Sequence, residues 1–428
     1  MKSFAMGFII IALVLVPGFS QTISIKKVLA TAQTDLTVTA QKGKTDILKH
    51  AWSGLPFIRD IELRVRNDAW VQEYMRYQFR ISPKGWGEER ASRKLFSAQK
   101  KLSEQDIQLK FHDALLDRYT AVVEFIASQV LNQLYKELIL VLEDRIKVLE
   151  KSDYTTDFDL NNVISSENDL TKFRDQNIQT DKDMRENLWK IREFLSDTTF
   201  TELDTNDIID VETVSECVKA AALGPDTENL HLNNLKLEYI VSEKRFLLEK
   251  ATDRRYIPFA SFTYDYGAFI DEIDRRMRFK DYDLNARYHV ELGFRLPFIT
   301  ADGRDNARRE ADFIADKASF DLTKKRLIEK TARDIRDVEA LITHYRYLLA
   351  RQNEVNAQGS LQKYLQMSGI NPLMLLSIKE GVLQNRVRIA KVRFDILRNY
   401  LQILDETGQL STMPIVNYLS ASKEAIGQ

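Results

Sequence analysis

The sequence predicts a mainly α-helical chain with membrane β-strands. Long antiparallel helices pack on one another in a coiled-coil manner, and two β-hairpins per chain contribute to a β-barrel shared between copies, with an internal duplication relating the halves. Three observations predict this. No glycine or proline occurs between Gly87 and Gly224, two regions alternate apolar and polar residues with period two, and the two halves match at one ungapped offset.

Taken in order, Lys2 precedes an apolar run from Phe4 to Pro17, and Gly18 and Ser20 follow at signal-peptidase spacing. Residues 1–20 read as a secretory signal peptide cleaved after Ser20, because about 14 apolar residues fall short of the ~20 that cross a bilayer as a helix. The single cysteine, Cys217, excludes an internal disulfide and a lipid-attachment cysteine at the cleavage site. Residues 21–56, interrupted by Gly43, Gly54 and Pro56, are expected to hold only short helices.

Residues 57–82 form the first hairpin. Ile61, Leu63 and Val65 alternate with Glu62, Arg64 and Arg66; Met75, Tyr77, Phe79 and Ile81 alternate with Arg76, Gln78 and Arg80. The turn is expected near Asn67 and Asp68. Residues 83–200 are the first long-helix repeat, in which 88–151 carry Leu109, His112, Leu116, Tyr119, Val123, Ile126, Val130, Leu134 and Leu138 at three- and four-residue spacing. A helix of that length runs roughly 95 Å and has no core of its own, so its stripe must pack on other helices.

A connector spans 201–227, and a helix spans 228–256. The second hairpin, 257–297, pairs the run Ile257 to Gly267 with the alternating run Leu284 to Leu296. Its Tyr288, Val290, Leu292 and Phe294 are assigned to lipid, and Arg287, Glu291 and Arg295 to a lumen. Residues 298–406 are the second long-helix repeat, with one helix over 304–366 and a return from Leu373 to Asp405, and 407–428 are a C-terminal tail. The duplication rests on an offset of 215, which pairs Phe79 and Arg80 with Phe294 and Arg295, Arg118 with Arg333, and Val123 and Glu124 with Val338 and Glu339. Strands of about ten alternating residues suit a membrane barrel, but two hairpins cannot close one, and open edges are not tolerated in lipid. The chain is therefore expected to complete its barrel with copies of itself.

The order of a strand, Arg295-Leu296-Pro297-Phe298 with Gly303-Arg304, and a very long helix resembles the TolC-like outer-membrane efflux family. The first copy reads Arg80-Ile81-Ser82-Pro83 with Gly85 and Gly87 before its own long helix. The resemblance implies a homotrimer in the outer membrane, with outer-membrane lipid around a β-barrel to which each of three chains gives two hairpins, and with the long helices forming an α-helical barrel, a tunnel through the periplasm. It also implies a passive channel for efflux or type I secretion, with a periplasmic adaptor protein and an inner-membrane transporter as partners. The helix-to-helix tips would be Asp153 to Asp159 and Ser368 to Pro372. Gly369, Ile370 and Asn371, and Tyr154 in the first tip, are the adaptor-contact candidates; a plain interhelical break at Gly369 and Pro372 is the alternative. Asp153, Asp157 and Asp159 are candidates for a pore constriction, against an alternative in which they are only solvated charge.

Charge is balanced, with 62 basic and 63 acidic residues and no basic cluster, so no nucleic-acid partner is expected. His50, His112, His231, His289 and His344 lie at no metal-ligand spacing, and there is no phosphate loop or nucleophile elbow. The sequence thus predicts no enzyme, cofactor or metal. A soluble periplasmic coiled-coil adaptor or structural protein, with the hairpins forming a small sheet, stays open as a second reading.

Overall fold

The computed structural model describes residues 22–51, 55–67, 75–151, 160–197, 202–205, 207–223, 229–266, 288–295, 303–357, 372–411, 414–422 and 425–426. Strand β1 (Thr22–Ser24), helix α1 (Ile25–Ala30), a 3-10 turn and α2 (Leu36–Lys49) come first. The hairpin β2 (Ile58–Asn67) and β3 (Met75–Pro83) leads into α3 (Glu88–Lys151) and α4 (Leu160–Leu195). Strand β4 (Glu202–Asp204), α5 (Val211–Leu223) and α6 (Leu230–Asp253) connect to β5 (Ala260–Tyr266) and β6 (Tyr288–Leu292). Helices α7 (Gly303–Ala357) and α8 (Pro372–Glu406) complete the chain's main elements.

Helix α3 has 64 residues, about 96 Å of helix, because nothing in it breaks the backbone ladder. Helix α8 opens on Pro372, whose missing N–H costs nothing at a first helical position. Gly43 lies inside α2 rather than interrupting it, although α2 is short, at 14 residues. Helix α7 starts at Gly303 and α3 at Glu88, a separation of 303 minus 88, or 215.

The helices form one layer in two tiers. On the sheet side of the molecule the neighbours run α2, α3, α6, α7; on the far side they run α4, α3, α8, α7. Between the tiers sits the main core, a belt in which three peripheral segments wrap the middle of α3. Val28 and Leu29 come from the N-terminal segment, Ile209, Val214 and Val218 from the connector, and Leu410, Ile415 and Leu419 from the C-terminal segment. The connector and tail are therefore structured parts of the core: β4 pairs in parallel with β1, and Ile209 N donates to Leu419 O.

Two buried polar side chains tie this belt down. Arg118 donates to Thr31 Oγ1 (2.8 Å), Asp35 Oδ2 (3.0 Å) and Ala114 O (2.7 Å), holding the N-terminal segment on α3. The Tyr119 hydroxyl donates to Val416 O (2.7 Å) and accepts from Tyr418 N, and burial pushes its phenol above the usual range. Because the belt encloses α3, burial there extends around most of the helix over residues 111–128 instead of following one stripe. Val130, expected in that stripe, is exposed. Ion pairs join neighbouring helices, Arg398 reaching both oxygens of Glu124 (2.6 and 2.7 Å) and Arg145 reaching Glu380 (2.6 Å).

Candidate functional site

The four long strands form one antiparallel sheet in the order β2-β3-β5-β6. The two hairpins therefore join to each other through β3 and β5, with Phe79 opposite Phe262 and Tyr77 opposite Tyr264. The β2–β3 ladder runs to the Asn67–Met75 pair, so Asn67, expected in the turn, is still paired, and Asp68 lies outside the described residues.

Register turns the alternation of single strands into two continuous faces. One face carries the rows Ile61–Ile81–Ala260–Leu292, Leu63–Phe79–Phe262–Val290 and Val65–Tyr77–Tyr264–Tyr288. The other carries Glu62–Arg80–Ser261–Glu291 and Arg64–Gln78–Thr263–His289. The polar face is a trough lined by Arg64, Arg66, Arg76, Gln78, Thr263, His289 and Glu291, with Leu63 and Val65 of the edge strand β2 also bordering it. Within it Gln78 donates to Ser261, and the Ser261 hydroxyl donates to Glu291.

The apolar face is uncovered. Leu63 and Val290 are 71% and 73% exposed, and the four strands pack chiefly on one another. A contiguous apolar surface of this kind is rare on soluble monomers and marks contact with a protein or a membrane. Aromatic residues flank it. Tyr77, Tyr264 and Tyr288 stack across three strands at the end away from the helices, with ring centroids 6.5 and 5.2 Å apart. Phe57 and Trp86 stand exposed at the helix end. From Tyr77 to Pro83 the strand rises about 20 Å, close to the height of an apolar band between aromatic girdles.

Two glycines shape the base of the sheet. A Cβ on Gly293 would come within 2.8 Å of the Phe259 ring, which lies over that glycine with the Arg80 guanidinium 4.0 Å from its centroid. A Cβ on Gly85 would meet Ala251 O at 2.6 Å, where the sheet joins α3 and α6. Gly85 N donates to Glu88 Oε2, and Arg255 lies 3.6 Å from the same oxygen, which fixes the sheet on the helical tier.

Of the residues singled out in the sequence, Glu291 lies on the polar face as expected. Arg295 lies just past β6, its N–H donating to Tyr256 O. Arg287, the tip residues Asp153, Tyr154, Asp157 and Asp159, and Gly369, Ile370 and Asn371 lie outside the described residues. Sequence reasoning did not foresee the tyrosine ladder or the Phe259–Gly293 contact. The three tyrosines share a register position only after β3 and β5 pair.

The helical layer has open edges. The edge helices carry exposed apolar side chains: Leu36 and Ile47 on α2, Ile178 and Trp189 on α4, Ile314 and Ile328 on α7. Among the described residues no helix is long and apolar enough to cross a membrane.

No protein-family model matches the chain, and no curated protein matches it in sequence. Solved structures do match in fold. The outer-membrane protein VceC of Vibrio cholerae superposes with a TM-score of 0.59 at 10% identity, over 90% of this chain and 96% of that one. The MtrE outer-membrane channel of Neisseria gonorrhoeae, in its open state, gives 0.58 at 10%, over 90% and 88%. The CmeC outer-membrane channel of Campylobacter jejuni gives 0.58 at 10%, over 90% and 84%. The chain has the fold of the TolC-type outer-membrane efflux channels.

Proposed function

We propose that three copies of this chain form an outer-membrane channel, the passive outer conduit of a tripartite efflux pump or a type I secretion system. The observation that carries this reading is the two-faced sheet with uncovered apolar residues, standing at one end of a 64-residue helix. Strands β2 and β6 are the open edges, and they run antiparallel to each other. The β6 edge of one copy can therefore continue the ladder onto β2 of the next, and three copies of four strands give an even, closed barrel that leaves no edge in lipid. The same symmetry lets the edge helices α2 and α4 meet α7 of a neighbour.

The polar trough then faces water inside the barrel and the apolar rows face outer-membrane lipid. The two halves descend from a duplication, supported by the shared separation of 215 between strand-to-helix junctions. The periplasmic adaptor meets the helical tips at Tyr154, Gly369, Ile370 and Asn371, an inner-membrane transporter supplies the energy, and Asp153, Asp157 and Asp159 narrow the mouth. The alternative of a soluble adaptor would leave Leu63, Phe79, Phe262 and Val290 in water with nothing on them. Analytical ultracentrifugation of the tag-free protein in detergent, together with carbonate washing of membranes, tests the proposal. A trimer that stays with the outer membrane is expected, and a monomer released by carbonate would overturn it.

A further inference from the structure

Helices α3, α6 and α8 meet at the waist with an imidazole from each of two helices and a carboxylate from the third. His112 Nε2 lies 2.6 Å from Asp405 Oδ1, and His231 Nε2 lies 3.9 Å from the same oxygen. Asp113 Oδ1 is also 3.9 Å from His231 Nε2, and the two imidazole rings meet edge to face at 5.7 Å. Among the described residues this is where three such donors converge, with one ligand atom from each of His112, His231 and Asp405 lying within 4.8 Å of the others.

The surroundings hold these donors in place. Asn229, 2% exposed, caps α6 by accepting from Leu232 N and donates to Glu406 O at 2.9 Å. That bond clamps the start of α6 to the end of α8, which fixes His231 against Asp405. His112 is buried to 1% exposure, so its ring cannot swing into solvent. Donor pairs around a tetrahedral ion with bonds of about 2.0–2.1 Å lie roughly 3.3 Å apart, a spacing bracketed by the 2.6 and 3.9 Å found here.

The geometry points to a binding site for one divalent transition-metal cation per chain, held by His112, His231 and Asp405 with Asp113 at the rim. Two imidazoles with carboxylate oxygen suit zinc, nickel or copper, whereas magnesium and calcium take oxygen donors. The ion ties three helices together where the two tiers meet, and replaces the hydrogen bond between His112 and Asp405 with two metal bonds.

The probe is zinc chloride, titrated calorimetrically into the tag-free protein in chelator-free buffer, with thermal unfolding followed in parallel. One zinc per chain is expected, with a raised Tm that a chelator reverses and that magnesium does not reproduce. His231→Ala, which replaces a half-exposed side chain and leaves the buried His112 pair intact, should weaken zinc binding at least about tenfold with an unchanged circular dichroism spectrum. Asp405→Asn should weaken it as well. Zinc bound by His231→Ala with wild-type affinity and stoichiometry, or no zinc bound by the wild type, would overturn the assignment.

Discussion

Replacing Val290 with arginine separates a lipid-facing sheet from a soluble one by energy alone. Val290 stands in the middle of the three apolar rows, beside Phe262, and is 73% exposed. In a soluble sheet such a change is worth at most about 0.5 kcal/mol, because the side chain is already in water. On the lipid face of a barrel an arginine near the midplane costs about 2–4 kcal/mol. In a trimer the substitution occurs three times, so the assembly loses roughly 6–12 kcal/mol. The control is His289→Arg, one residue away on the polar face beside Thr263, which should change little. Denaturant unfolding from lipid vesicles reads the difference as a shift in midpoint and as folding yield. If Val290→Arg matched His289→Arg in both, the apolar face would not touch lipid and the barrel reasoning would fail.

Other outcomes follow from the waist and the tips. Burial first, and then the neighbouring Glu406 carboxylate, push Asp334 up to about 6 from 3.8, against the pull of Lys330. A carboxyl raised in the folded state stabilises the protein fully below its unfolded value, and that stability is lost as pH rises through about 6. Asp334→Asn should therefore raise stability above about pH 7 and leave it unchanged below about pH 4. The full shift would be worth about 3 kcal/mol, but Asp334 is partly exposed, and solvent screening reduces the expected gain to about 1 kcal/mol. Urea midpoints at the two pH values check this, and equal gains at both would contradict it. Replacing Asp153, Asp157 and Asp159 together with asparagine should raise single-channel conductance in planar bilayers or weaken block by divalent cations; if neither changes, the narrowing lies elsewhere.

Local patterns were legible in the sequence and long-range pairings were not. The bounds of α3 could be read because Gly87 and the unbroken run after it act within one turn of helix, and α8 begins within a residue of its expected start. Alternation in β2, β3 and β6 gave each strand two faces, but only the β3–β5 pairing aligns Tyr77 with Tyr264 across 187 residues, 264 minus 77. Helix α5 was within reach, since Val211, Val214, Val218 and Ala221 recur at helical spacing inside the supposed connector. The wrapping of α3 by the connector and tail was not, because Tyr119 meets Val416 through the fold alone. Likewise His112 and His231 lie 119 positions apart, 231 minus 112, and become neighbours only because α6 packs on α3.

The central claim is that the sheet is a sector of a water-filled barrel in lipid, and single-cysteine labelling in native outer membranes addresses it most directly. In a Cys217→Ser background, cysteines at Gln78 and Thr263 on the polar face and at Phe79 and Phe262 on the apolar face are treated with a charged, membrane-impermeant thiol reagent. The account predicts that Gln78 and Thr263 positions react while Phe79 and Phe262 positions stay protected until detergent is added. Equal reaction on both faces before detergent, or protection of the polar positions, would contradict it.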